Sequence, residues 1–145
     1  LQLNGTQWVL SESDEPIVAQ TTLLFQDFQF RADAGCNEIS GIYNVDDDQI
    51  ILHNMTRTEM ACVDADSNEV DAEVMAYESE VVRWLGSAET FQQSADQLII
   101  NTASQQLTFV PLRETISDQV FTVQVENEGI RVFHVKIYAK KQLGG

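Results

Sequence analysis

Two histidines, two cysteines, two prolines and eight basic residues are all that 145 positions contain. Each scarcity closes off a class of function. Only His53 and His134 are available as neutral-pH bases, one on a strand-like run and one in the tail. No nucleophile-elbow pattern accompanies them, so a serine or cysteine triad lacks its parts. Two cysteines are too few for a structural zinc site, and His53 added to them still leaves the fourth ligand missing. A net charge of −15 repels phosphate backbones and anionic headgroups, which excludes nucleic-acid binding. No apolar run approaches the roughly 20 residues of a membrane-spanning helix.

What is present is a folded domain. Hydrophobic residues make up 43% of a chain long enough to bury one core. The negative surplus lies wholly in residues 1–113, because the four basic residues after that point match four acids. It acts first as a solubilising coat. The chain opens on Leu1 without methionine, so a mature fragment from which an upstream signal or linker has been cut is expected, with an upstream lipid anchor as a further reading.

Short runs of alternating residues dominate. They are Trp8–Leu10, Thr21 onward with a turn near Gln26-Asp27, and Phe28–Ala32, with Leu23, Phe25, Phe28 and Phe30 facing inward. Ile39–Val45 and Gln49–Thr56 flank Asp46-Asp47-Asp48 as a hairpin, with Gly35-Cys36-Asn37 and Cys62 at its outer ends. Glycine and asparagine both tolerate positive φ, which makes Gly35–Asn37 a tight corner. Later strands are predicted at Glu89–Phe91, Leu98–Asn101 and Gln106–Leu112, then a tail hairpin over Val120–Glu126 and Ile130–Ala139.

One helix interrupts the strands. Asp66 is its expected cap, with Glu69 reaching back, and Val70, Val74, Tyr77, Val81 and Leu85 form its apolar stripe to Gly86. The fold class is therefore α+β: a single mostly antiparallel, half-barrel-like sheet packed on one long helix. Residues 1–113 form the domain, and 114–145 a hairpin extension that packs on it, on a second chain as a homodimer, or on a downstream segment.

Candidate chemistry is thin. Asp64-x-Asp66-x-Asn68 copies the opening of a calcium loop, but Glu69 and Met75 stand where glycine and the bidentate glutamate belong. Asp46-Asp47-Asp48 is a solvated turn that offers calcium only loose ligands. Glu78 and Glu80 are two apart on a helix and cannot share a face as a glycosidase pair. No metal, cofactor or catalytic residue is assigned. With the hairpin centred near Asp47, Cys36 lies opposite Thr58 and close to Cys62, so a disulfide is expected in an exported protein, against two buried thiols.

The order Trp8, Ala34-Gly35-Cys36-Asn37, Ser40-Gly41-x-Tyr43, Thr58-x-Met60-Ala61-Cys62, helix and paired strands resembles the META domain family over Asn4–Arg113. Glu59, where a basic residue is common, and Val63, where proline often follows, depart from its pattern. The resemblance implies a bacterial envelope or secreted protein of the heat-shock protein HslJ type, periplasmic, outer-membrane-anchored or secreted. It carries no catalytic residues over. The motif positions Gly35, Cys36, Asn37, Gly41, Tyr43, Thr58, Met60 and Cys62 enter with structural roles: Gly35 and Asn37 for the corner, Gly41 for close packing, Tyr43 for the core. Expected partners are a protein or small ligand of the envelope, with support of envelope stress tolerance as a related role. An acidic inhibitor or adaptor of a basic protein is the alternative, and a hydrolase without a known reaction the third reading.

Overall fold

The structure is a computed structural model that describes residues 2–63, 69–125 and 129–140, with side chains for 2–63 and 69–113. The described residues divide into two units, one up to residue 111 and one from residue 112.

The first unit holds eight strands. These are β1 (Gln7–Ser13), β2 (Thr22–Gln26), β3 (Gln29–Asp33), β4 (Glu38–Asp46), β5 (Gln49–Arg57), β6 (Ala88–Gln93), β7 (Leu98–Thr102) and β8 (Gln106–Pro111). Every neighbour pairs antiparallel, and β1 also pairs with β8, Trp8 against Pro111 and Leu10 against Phe109. The sheet is thus a closed barrel and not the half-barrel expected from sequence. Closure gives each barrel strand a neighbour on both sides, although β5 meets β6 at a single position.

Alternation builds the interior. Leu23 and Phe25, Phe30 and Ala32, Ile50 and Leu52, Leu98 and Ile100, and Leu107 and Phe109 point into one core with Trp8 and Leu10. Phe28 is the exception to the expected inward set: it sits in the β2–β3 turn and is 62% exposed. Asp27, beside it, takes the left-handed conformation at φ 57°, which lets the chain reverse within two residues.

β5 and β6 share one paired position, Gln49 with Thr90, and their connection carries the helix α1 (Ala72–Gly86). The helix is 15 residues, shorter than expected, because Asp71 and not Asp66 caps it by accepting from the Val74 amide at 3.1 Å. Glu69 and Val70 precede it, and Val70 is exposed and bridged to Val63. Tyr77, Val81, Trp84 and Leu85 enter the barrel core. Tyr77 and Trp84 meet edge to face with centroids 5.9 Å apart. The Tyr77 hydroxyl lies 2.5 Å from Thr21 Oγ1, and burial raises its pKa above the usual tyrosine value against the lowering effect of that bond. No helix among the described residues is long and apolar enough to cross a membrane.

The second unit is a two-stranded antiparallel sheet, β9 (Glu114–Val125) with β10 (Gly129–Lys140), in continuous register from Lys140–Glu114 to Gly129–Val125. The surface expected to cover its apolar side chains, and any homodimer through it, lie outside the described residues. So do Asp64, Asp66 and Asn68 of the calcium-like stretch.

Candidate functional site

The outer ends of the β4–β5 hairpin come together as its register demands. Ile39 pairs with Arg57, and Thr58 N donates to Glu38 O at 3.1 Å, so residues 35–38 and 58–62 run side by side. A disulfide joins Cys36 to Cys62 there, with Cα atoms 5.8 Å apart. Gly35 makes the preceding corner at φ 116°, and a Cβ on it would lie 2.8 Å from the Ala19 side chain.

Asn37 holds this junction through its side chain and not through a left-handed backbone. Among described residues only Asp27, Asp47, Asn54, Gly5 and Gly35 have positive φ, so the corner role expected for Asn37 is replaced by another. Its Oδ1 accepts from Met60 N at 2.7 Å and from Thr58 Oγ1 at 3.0 Å. Its Nδ2 donates to Met60 O at 3.2 Å and to Glu78 Oε1 at 2.9 Å, while its backbone N–H donates to Glu78 Oε2 at 2.7 Å. Asn37 is 3% exposed and Glu78 2%, so one buried residue cradles both oxygens of a buried carboxylate.

Glu78 is the residue that sequence reasoning missed. It follows Tyr77 on the buried face of α1, where a glutamate is ordinarily assigned to solvent. Arg57, exposed at the end of β5, approaches Glu78 Oε1 at 3.9 Å and donates to Ser79 Oγ at 3.1 Å. A single loose ion pair cannot repay full desolvation of a carboxylate; the two Asn37 bonds make up the difference.

These groups form the floor of a cavity of about 550 Å³ between residues 57–61 and the first turns of α1. Its walls carry apolar Met60, Ala61, Met75 and Ala76 beside exposed polar Arg57, Thr58, Glu59 and Ser79. Met60 is 60% exposed on the rim of this cavity. Smaller hollows lie beside residues 9–20, about 240 Å³, and over β3–β5, about 330 Å³.

Of the expected motif positions, Cys36, Asn37, Thr58, Met60 and Cys62 converge here, whereas Gly41 and Tyr43 belong to the barrel wall. A Cβ on Gly41 would stand 2.6 Å from His53 O and 2.7 Å from the Phe30 ring. Tyr43 packs edge to face on Phe25, and its hydroxyl donates to Asp27 O at 2.8 Å. Its pKa is raised by burial and then by the Asp27 charge. His53 Nε2 pairs with Asn44 Oδ1 on the neighbouring strand at 2.5 Å. Asp46, Asp47 and Asp48 stay exposed at the hairpin tip.

Residues 1–114 match the META domain. The chain belongs to the META domain family. Comparison with curated proteins finds no match. Among solved structures, an NMR structure of a protein from Burkholderia xenovorans is similar at 21% identity and TM-score 0.59, over 75% of this chain and 83% of that one. A second NMR structure is similar at 20% identity and TM-score 0.54, over 75% and 91%. At these identities the likeness to the two structures is one of fold. In this META domain the hairpin-end motif has a physical meaning: its residues close on one helix carboxylate.

Proposed function

We propose that this META domain is a non-enzymatic binding module of the cell envelope or secreted space, which takes a partner or small ligand into the groove over Asn37 and Glu78. The observation that carries the reading is the groove's construction. Methionine and alanine side chains, with a few polar groups among them, stand over the buried Asn37–Glu78 floor, a composition that suits a recognition pocket. Methionine side chains adapt their shape, which suits a surface that must accommodate a ligand.

The floor also argues against catalysis. General acid–base work needs a group free to exchange a proton with the substrate. Both Glu78 oxygens are instead engaged by Asn37, and Arg57 stands over one of them. The Cys36 and Cys62 sulfurs are bonded to each other and supply no nucleophile. Location outside the cytoplasm is supported by that disulfide. A role in envelope stress tolerance follows if the ligand is an envelope component.

The test is affinity capture from envelope extract with the wild-type chain and Ala76→Trp, which fills the groove from an exposed helix position. Molecules retained by the first and lost by the second support the reading. Identical capture profiles reject it. A panel of esterase, phosphatase, glycosidase and peptidase substrates completes the test, and turnover abolished by Glu78→Gln rejects the non-enzymatic part.

One observation favours a second reading. All the net charge of −15 falls in residues 1–113, which suits an adaptor or inhibitor of a basic protein. Capture that weakens steeply between low and moderate salt, and is indifferent to Ala76→Trp, selects it.

A further inference from the structure

The Cys36–Cys62 disulfide does not stand alone. One ligand atom from each of Cys36, Cys62 and Glu78 lies within 4.8 Å of the other two. Cys62 is 5% exposed, and the Asn37 Nδ2 that donates to Glu78 also lies 3.8 Å from Cys62 Sγ. Two sulfurs and a carboxylate oxygen therefore lie together, and the carboxylate belongs to a residue that also lines the groove. We propose that reduction of this disulfide converts the cluster into a binding site for a thiophilic divalent cation, with Cys36 and Cys62 as thiolates, Glu78 as the third ligand and water as the fourth.

The chemistry balances in two steps. A dithiol or phosphine reductant supplies two electrons, and with two protons the S–S bond becomes two thiols while the reductant is oxidised. Binding of the cation then releases those two protons as both sulfurs coordinate. The resulting set, two thiolates and one carboxylate with an open position, is one that zinc accepts. Tetrahedral zinc with bonds of about 2.3 Å to sulfur sets two thiolates about 3.8 Å apart, so the sulfurs, bonded in the oxidised chain on Cα atoms 5.8 Å apart, must separate on reduction to take the metal.

The surroundings favour the metal in the reduced state. Two thiolates beside a buried carboxylate would place three negative charges together, with exposed Arg57 at 3.9 Å from the carboxylate, and a divalent cation relieves that repulsion. Asn37 supplies the outer support, because its two bonds to Glu78 fix the carboxylate's orientation. In the oxidised state the sulfurs are neutral and bonded to each other, and the site is closed to metal. The exposed segment Glu59–Ala61 that carries Cys62 gives the sulfur room to move. A chain with His53 as the only candidate third ligand has no such site; Glu78 makes one.

The test uses the full chain and Co2+ alone as spectroscopic probe. After reduction with a phosphine, one Co2+ per chain is expected, with thiolate-to-cobalt charge-transfer absorption, tetrahedral visible bands and displacement by Zn2+. The oxidised chain is expected to show none of these. Glu78→Gln should weaken Co2+ binding by at least about tenfold, and Cys36→Ser or Cys62→Ser should abolish the charge-transfer band. A second measurement needs no variant: Zn2+ should slow alkylation of both thiols in the reduced wild-type chain. Absence of the charge-transfer band after reduction, equal binding by the oxidised chain, equal affinity of a folded Glu78→Gln, or alkylation rates indifferent to zinc would each overturn the proposal.

Discussion

Replacing Asn37 by alanine removes the centre of the hairpin-end network, and its cost can be built up bond by bond. Glu78 loses the 2.9 Å bond to Nδ2 and keeps only the backbone donor of residue 37 and Arg57 at 3.9 Å. A bond to a charged, buried group is worth about 1.5–3 kcal/mol. Met60 N and O lie in an exposed segment, so water replaces their partners at about 0.5–1 kcal/mol together. The sum is about 2–4 kcal/mol. With a urea slope of about 2 kcal/mol/M, the midpoint should fall by about 1–2 M at unchanged slope, the disulfide remaining intact. Asn37→Asp sharpens the test, since it keeps the shape but turns a donor into a second carboxylate against Glu78. It should cost more than alanine at neutral pH, because two carboxylates then face each other in a buried site. A midpoint shift below about 0.3 M for Asn37→Ala, or an aspartate variant as stable as wild type at neutral pH, would refute the reasoning.

Three further outcomes are expected. Cys36→Ser/Cys62→Ser opens a 26-residue loop and should lower stability by about 3.5 kcal/mol in the chain-entropy model, read from urea unfolding of the two forms. Gly41→Ala should cost about 1–3 kcal/mol, read the same way, because its methyl group meets the His53 carbonyl and the Phe30 ring. Tyr77 has a raised pKa in the fold, so the unfolded chain ionises it first. That stability is whole below about pH 10, the ordinary tyrosine value, and is lost as pH rises through the folded one. Melting temperature should therefore fall above that pH, less so in Tyr77→Phe.

Most of the strands were legible because each is a short alternating run ended by a polar turn, and turn chemistry is local. Barrel closure was not, since it depends on β1 meeting β8 across almost the whole domain, a pairing that neither strand's own pattern encodes. The helix was found but started too early. Asp66 and Glu69 have the spacing of a capping box, yet Asp71 offers the same chemistry nearer the residues that the core buries. Phe28 was placed inside by its hydrophobicity, although the turn at Asp27 leaves it on the outside. The disulfide was readable from hairpin register. The groove was not, because its decisive residue is a glutamate. Helical spacing assigns charge to solvent, and only the position of Asn37 in space turns Glu78 inward.

Binding in the groove can be mapped directly by amide chemical-shift changes in the 15N-labelled chain, titrated with the envelope fraction that the wild-type domain captures. Shifts should concentrate at Arg57–Ala61 and Met75–Ser79, with Asn37 responding through its bonds to Met60 and Glu78, and should vanish in Ala76→Trp. Shifts clustered instead at Val9–Gln20 or at the Asp46–Asp48 turn, or unchanged by Ala76→Trp, would contradict a binding site in the groove.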